Sequence, residues 1–238
     1  MKLLNINSAE LKAKLDSYIQ SDERYKVVFN YTKQQFQKAE NLTAHNWAHV
    51  YRDTLNAIVI GEAENADMRI VLPAITMHDI GFLYGASPNE HGEVGADRLS
   101  KYLQDCGANY SPEQIAAIAS CIRTHKGSIH GKSPQGIEAK VVADADLLEK
   151  FGPFGVYQTI RTYTEFNWQI DKAMERGERI LKVNLETPTG QRLAEPGRQF
   201  VADSAVDQGR IGHDQAAPAG RRMQRKPIWQ VEESTVSP

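Results

Sequence analysis

The sequence predicts an all-α domain, because apolar residues recur at helical spacing in one segment after another while the alternation typical of strands is almost absent. Helix start signals are also frequent. The clearest begins at Ser111, the expected N-cap, with Pro112 at the first helical position and Gln114 completing a capping box. Loops rich in Gly, Ser and Pro, such as residues 85–88 and 127–135, separate the helical segments.

The predicted helices can be followed from the N-terminus. Asn7 and Glu10 form a variant of the capping box that starts the first helix, and Ser21 is the expected cap of the second. Gly81 is placed to end the fourth helix. The further helices are expected over residues 44–63, 68–79, from 89 onward, from 111 onward, 137–150, 156–181 (one long helix) and 189–201.

The C-terminal part of the chain has a different pattern. From about Ser204 onward no amphipathic period survives and Gly and Pro are frequent, so the segment lacks the apolar surface that would offset its ordering entropy. We therefore expect residues 1–203 to form one helical domain and residues 204–238 to be a disordered tail.

Composition excludes several classes of protein. The 238 residues are 41% hydrophobic and 24% charged, which is ordinary for a globular domain with a sizeable core. The formal net charge of −2 gives no electrostatic reason to expect nucleic acid or an anionic membrane as partner. No apolar run approaches the roughly 20 residues of a membrane span, and no secretory signal precedes Glu10. Cys106 and Cys121 show no metal-site or redox spacing. These observations predict a cytoplasmic location.

Histidine and aspartate residues fall where apolar helices would bury them. The pair His78-Asp79 ends the fourth helix, and Asp144 and Asp146 interrupt an otherwise apolar helix. Buried imidazole and carboxylate groups are unfavourable unless hydrogen bonds or a cation satisfy them, and both are good ligands for divalent first-row metals. Together with His49 from an upstream helix, they could form a mixed nitrogen and oxygen site that leaves positions open for water or substrate.

The ordered set resembles the H…HD…D signature of the HD-domain superfamily of metal-dependent phosphohydrolases, over about residues 41–155. Three strings carry the resemblance: His49-Val50-Tyr51-Arg52, Met77-His78-Asp79-Ile80-Gly81 and Asp144-Ala145-Asp146-Leu147-Leu148. The resemblance implies a helical bundle with a metal held between helices, and it implies His49, His78, Asp79 and Asp146 as ligands. In the family the ligand of the last string is the residue directly before the Leu-Leu pair, so the resemblance implies Asp146 rather than Asp144. Asp144 is then a candidate to orient a ligand, or a structural carboxylate.

Two further histidines bear on the number of metal ions. His91 and His125 resemble positions that hold a second metal in binuclear members of the superfamily and contact phosphate in mononuclear ones. Each could instead be a hydrogen-bonded core histidine. Asp79 would lie beside both metals and could bridge them. The other histidines, for which no partner is evident, are expected at the surface: His45, His130 and His213.

Three cations are candidates for phosphate contacts, because guanidinium and ammonium groups match phosphate oxygens. They are Arg52, Arg98 and Lys126, although residues of this type are more often ordinary surface charges. Lys126 would steady the charge that develops during phosphoryl transfer.

The resemblance therefore implies a metal-dependent phosphohydrolase that uses one or two divalent ions (Mn, Fe, Co, Ni or Zn) to activate water. Asp79, Lys126 and Arg52 are its candidate catalytic residues, and its partner would be a small phosphorylated substrate such as a nucleotide. Two alternatives remain open at this stage. One is a di-iron oxygenase, which could use the same six ligands, and the other is a noncatalytic module that binds a metal or an effector.

Overall fold

Ten α-helices and one short 3-10 helix make up the part of the chain that the computed structural model describes, residues 7–127, 131–170 and 172–213. Of residues 174, 178 and 203–213 only the backbone is described. The α-helices are α1 (Ser8–Ser21), α2 (Glu23–Lys38), α3 (Trp47–Ala63), α4 (Met68–Thr76), α5 (His91–Cys106), α6 (Pro112–Thr124), α7 (Gly136–Leu148), α8 (Gly152–Glu165), α9 (Lys172–Leu181) and α10 (Pro188–His213). The 3-10 helix is Ile80–Tyr84. The all-α prediction is confirmed.

Side-chain caps fix the starts of the early helices. Asn7, Asp22, Asn46 and Asp67 each accept backbone N–H bonds from the first turns of α1 to α4. Ser111 and Gln114 form the predicted capping box at α6. Ser21 was expected to cap the second helix, but it is the last residue of α1, and Asp22 takes the cap position instead.

Helix α4 lies at the centre of the bundle. Every residue from Ile70 to Thr76 is buried, and the helix packs against α2, α3, α6 and α7. A helix that is apolar on all sides is stable only when it is surrounded in this way. The chain therefore reaches His78 and Asp79 deep inside the protein, at the C-terminal end of α4.

Gly81 has a role different from the predicted one. Helix α4 ends at Thr76, and Gly81 lies within the 3-10 helix that follows. A Cβ at Gly81 would overlap the backbone carbonyl of His91. The absent side chain therefore allows the 3-10 helix to contact the start of α5, which brings His91 close to Asp79.

The long helix predicted over residues 156–181 is in fact two helices, α8 and α9. Asn167 adopts a left-handed conformation with φ of 52°, which ends the helical path. The rings of Tyr163 and Phe166 pack against Trp168 at this break, with centroids 5.3 and 5.2 Å apart. Residues 165–172, around the break, contain neither Gly nor Pro, so the strongest helix-break signals are absent there. Helix α9 packs against α8 and α10.

The C-terminal helix extends beyond the predicted boundary. Helix α10 continues to His213, whereas the sequence pattern placed the end of regular structure near residue 203. Ala194 of α10 is buried in a cluster with Ile180, Val183 and Leu185. The rest of the predicted tail, residues 214–238, lies outside the described residues. Within the described chain, no helix combines the length and apolar character needed to cross a membrane.

Candidate metal centre

Four histidines and two aspartates predicted from the sequence lie together at the centre of the bundle. They come from the first turn of α3, the end of α4, the start of α5, the residue after α6, and α7. All are buried: His49, His78, Asp79, His91, His125 and Asp146.

The first group of ligand atoms surrounds the Nε2 atom of His49. This nitrogen is 3.4 Å from Nε2 of His78 and 3.3 Å from Oδ2 of Asp79. It is also 3.7 Å from Oδ1 of Asp146. The Nε2 atom of His78 lies 3.4 Å from the same Oδ2 atom of Asp79. Two imidazoles and two carboxylates thus converge from three parts of the chain.

The second group lies on the other side of Asp79. Its Oδ1 atom is 3.2 Å from Nε2 of His91 and 3.7 Å from Nε2 of His125. The two imidazole nitrogens are 2.9 Å apart. The Asp79 carboxylate therefore presents one oxygen to each group, which is the arrangement of a bridging ligand.

Backbone carbonyls fix the orientation of three of the rings. The Nδ1–H groups of His78, His91 and His125 donate to the carbonyls of Ile75 (2.6 Å), Pro88 (2.9 Å) and Ile122 (2.7 Å). A carbonyl can only accept, so Nδ1 carries the proton and Nε2 of a neutral ring presents its lone pair to the centre. The lone pairs of His91 and His125 would then face each other, an arrangement that a cation bound by both nitrogens, or a proton shared between them, stabilises.

The donor set fits a divalent transition metal. Oδ2 of Asp79 is buried without a hydrogen-bond donor among the described residues. Burial opposes its ionisation, but the neighbouring histidines hold the pKa of Asp79 well below its usual range. Burial and the nearby imidazoles lower the pKa of His125 well below its usual value. The ionised Asp79 and the neutral His125 are in the protonation states that bind a metal. Burial favours the neutral form of His78, but Asp79 raises its pKa to about 9, so metal binding there would release a proton.

Two carboxylates at this centre were not identified from the sequence. Oδ2 of Asp53, one turn after His49, lies 3.1 Å from Nδ1 of His49 and 3.7 Å from Nε2 of His78. Oε2 of Glu149 lies 2.8 Å from the same Nδ1 atom. The i+4 spacing of His49 and Asp53 on a helix is a signal that could have identified Asp53. With His49, His78 and Asp146, Asp53 belongs to a group of residues able to hold a metal ion.

The predicted cations occupy different environments. Arg52 forms an ion pair with Glu149, and its guanidinium lies 4.5 Å from the ring centroid of Phe154. Arg98 is exposed and lies over Tyr84. Lys126 donates to the carbonyl of Pro88 at 2.7 Å. Of the three, only Lys126 lines the cavity described below.

Asp144 is buried in α7 and binds a different part of the chain. Its Oδ1 atom accepts from the backbone N–H of Glu186, and Oδ2 accepts from the N–H and hydroxyl of Thr187, at 2.6–2.7 Å. These bonds hold the segment before α10 against α7. Among the described residues, no hydrogen bond or ion pair connects Asp144 to the metal-ligand groups.

A cavity of about 850 Å³ opens over the two ligand groups. Its floor includes Asp79, His91, His125 and Asp146. One wall is formed by rings and is called the aromatic wall below: His45, Phe82, Tyr163, Phe166 and Trp168. Another is formed by cations and is called the cationic wall: Lys126, Lys150, Arg176, Arg179 and Lys182.

His45 lines this cavity, although the sequence analysis placed it at the surface. Its Nδ1 atom lies 2.5 Å from Oε1 of Glu165, and its ring packs 4.8 Å from Phe82 and 5.4 Å from Phe166. The break between α8 and α9, which the sequence does not reveal, brings these partners together. His130 and the side chain of His213 lie outside the described residues.

Comparison with known proteins agrees with the resemblance to the HD superfamily. Residues 46–150 match the family model of the HD domain. YpgQ of Bacillus subtilis, an uncharacterized protein, is 30% identical over 116 residues, which are 48% of this chain and 55% of YpgQ. The matched stretch thus spans only about half of that relative.

Solved structures share the fold. A crystal structure of YpgQ has a TM-score of 0.61 at 20% identity, covering 81% of this chain and 97% of YpgQ. Another, in complex with ADP, has a TM-score of 0.59 at 22% identity, covering 78% and 98%. An HD-superfamily hydrolase from Bacillus thuringiensis has a TM-score of 0.61 at 20% identity, covering 81% and 98%.

Proposed function

We propose, from the premise that residues 46–150 of this chain are an HD domain, that the protein is a metal-dependent phosphohydrolase acting on a phosphate ester or nucleotide. The observation that supports this most directly is the position of Asp79. Its carboxylate faces two groups of ligand atoms, and both groups lie below a cavity with a cationic wall. Such a cavity attracts an anionic substrate to the centre.

Two ions can be assigned to residues. His49, His78, Asp79 and Asp146 would hold the first, and Asp79, His91 and His125 the second. Mn, Fe, Co, Ni and Zn all suit these nitrogen and oxygen donors. When bound, such an ion makes water nucleophilic near neutral pH and polarises a phosphoryl oxygen.

The remaining residues orient a metal ligand or stabilise negative charge on the substrate. Glu149 accepts the Nδ1 proton of His49 and so directs Nε2 toward the centre. Arg52 acts on Glu149, so its role in the proposal is positioning. Lys126 follows His125 in the chain, and its ammonium group would stabilise the negative charge that develops on the phosphoryl oxygens.

The cavity walls support a nucleotide as the substrate. Ring faces such as those of Phe166 and Trp168 can stack on a base, and the cationic wall can bind the phosphates. The complex of YpgQ with ADP shows that a protein of the same fold binds a nucleotide. These two observations favour nucleotides over other phosphate esters.

The test is elemental analysis of the purified protein, followed by a phosphate-release screen over nucleotides. We expect metal in the protein and release of phosphate or pyrophosphate that a chelator abolishes. As a control for loss of negative charge away from the centre, Asp97→Ala removes an exposed carboxylate paired with Arg123. This variant should keep both its metal and its phosphate release. Bound iron with dioxygen consumption and no phosphate release would instead support the oxygenase alternative. Bound metal without turnover of any substrate would support the noncatalytic one.

A further inference from the structure

Arg176 is a half-buried cation that faces the cavity from α9. No hydrogen bond or ion pair joins its guanidinium to any residue that the structure describes. Burial lowers the pKa of Arg176, with Tyr163 and Asp146 opposing the shift. An arginine nevertheless stays charged in a protein, so its partly desolvated charge lacks a partner.

The other half-buried cations near the centre have partners. Lys150 binds Asp146 at 2.7 Å, Arg52 binds Glu149, and Lys126 donates to a backbone carbonyl. Arg176 differs from them, although it lines the same cavity as Lys150 and Asp146. A guanidinium presents a planar fork of N–H donors that matches phosphate oxygens.

The position of Arg176 is fixed by packing. Ile180, one turn later on the same face of α9, is 3% exposed and belongs to the buried cluster with Val183 and Leu185. The break after α8 turns α9 so that this face meets the cavity. Helix α9 lies outside residues 46–150, so the HD-domain match does not account for Arg176.

We infer that Arg176 is a phosphate-binding residue that holds the phosphoryl group of the substrate over the metal-ligand groups. The inference rests on the proposed function for the identity of the anion, while the unpaired guanidinium and the cavity carry the site itself. Arg176 would do what the sequence analysis assigned to Arg52, whose charge is already neutralised by Glu149.

The test uses inorganic phosphate and pyrophosphate as probes, titrated by calorimetry into the full-length protein with saturating Mn²⁺ and without metal. For Arg176→Gln we expect phosphate affinity to fall by about 10- to 100-fold, as for loss of a hydrogen bond to a charged group. Arg176→Lys keeps the positive charge but loses the planar fork of N–H donors. Its phosphate affinity should lie between those of Arg176→Gln and the unmodified protein. The affinity for Mn²⁺ should be unchanged or higher, because a nearby positive charge is removed.

Arg161→Gln is the matched control. It removes the same charge from α8, where the guanidinium lies over Tyr157 and does not line the cavity. Phosphate affinity should stay at the level of the unmodified protein. The melting temperature of Arg176→Gln without ligand should not fall, because the guanidinium has no partner to lose.

Three outcomes would overturn the inference: phosphate affinity of Arg176→Gln equal to that of the unmodified protein, no binding of either probe by the unmodified protein, or a melting temperature lowered by several degrees. The proposed function fails on different evidence, namely absence of metal or of phosphate release in the unmodified protein. If Arg176→Gln loses phosphate binding while no nucleotide is hydrolysed, the anion site stands and the phosphohydrolase proposal does not.

Discussion

Oε2 of Glu149 lies 2.8 Å from Nδ1 of His49, at the opposite end of the imidazole from the metal-ligand groups. Glu149 also pairs with Arg52. Burial opposes ionisation of this carboxylate, but the hydrogen bond from His49 and the charge of Arg52 keep its pKa below the usual range. An ionised Glu149 can only accept, so it holds the proton of His49 on Nδ1 and leaves Nε2 as the ligand atom.

Glu149→Gln should therefore weaken metal binding without removing a ligand. An amide can turn its N–H₂ group toward Nδ1 of His49. The proton of His49 is then no longer held on Nδ1, so the tautomer that leaves Nε2 free to bind a metal is no longer selected. We expect a loss of about 10- to 100-fold in Mn²⁺ affinity, the usual range for groups that orient a ligand, measured by calorimetry. Glu40→Gln, at an exposed position outside the cavity, should leave the affinity unchanged. Equal affinities for the two variants would refute the orienting role of Glu149.

Asp79 and Asp144 should respond differently to substitution by alanine. Asp79→Ala removes the carboxylate shared by both ligand groups, so metal content and any phosphate release should be lost together. The fold should survive, because a buried carboxylate without its cation is unfavourable. Asp146→Ala should behave in the same way at the first group. Full metal content in Asp79→Ala would refute the assignment of the centre.

Asp144→Ala should instead reduce stability. It leaves the donors of Glu186 and Thr187 without their acceptor, and unfolding free energy should fall by about 2–4 kcal/mol for the loss of several hydrogen bonds to a charged group. Urea unfolding measures this. Metal affinity of the folded variant should stay close to that of the unmodified protein, whereas a selective loss of metal would indicate that Asp144 acts on a ligand.

Removal of metal should also lower stability. An ion that binds only the folded chain adds about 2.7 kcal/mol at a concentration one hundred times its dissociation constant. The melting temperature should therefore fall on treatment with a chelator and recover when Mn²⁺ or Zn²⁺ is added in excess. Asp79→Ala is the control, and its melting temperature should not respond to either treatment. A melting temperature that is the same with and without metal in the unmodified protein would contradict the metal site.

Helix starts and ligand types could be predicted from the sequence because each depends on a local pattern. Ser111 and Gln114 form their capping box within one turn, and the pair His78-Asp79 ends a helix that is visibly apolar. The resemblance to the HD superfamily then linked residues that are distant in the chain. The assignment of these residues as metal ligands stays a prediction that metal analysis tests. The structure places the six residues together at the centre of the bundle.

The partners of these residues could not be predicted, because they depend on packing between distant segments. Glu149 meets His49 only when α7 lies against α3, and His45 meets Phe166 only because Asn167 ends α8. Neither contact has a signal in sequence spacing. For the same reason the sequence analysis named Arg52 as a phosphate contact, although Glu149 neutralises its charge, and did not identify Arg176.

The predicted tail can be tested by truncation at two positions. Helix α10 continues to His213, so removal of residues 214–238 should leave the melting temperature and metal affinity unchanged. Removal from residue 204 onward also deletes the last ten residues of the helix and should lower the melting temperature more. If the shorter deletion already lowers the melting temperature by many degrees, the segment beyond His213 contributes to the fold.

Gly81→Ala tests how closely the 3-10 helix and α5 must approach to complete the second ligand group. The added Cβ would overlap the His91 carbonyl, which is backbone and cannot rotate away. The start of α5 would have to shift, and His91 would move from Asp79. We expect a loss of about 1–3 kcal/mol in stability, as for other overpacked sites, with metal content falling from two ions to one. Gly177→Ala is the control, because its Cβ meets nothing within 4 Å and alanine favours the interior of α9, so stability should rise slightly. Retention of two ions in Gly81→Ala would show that His91 does not depend on this contact to bind a metal.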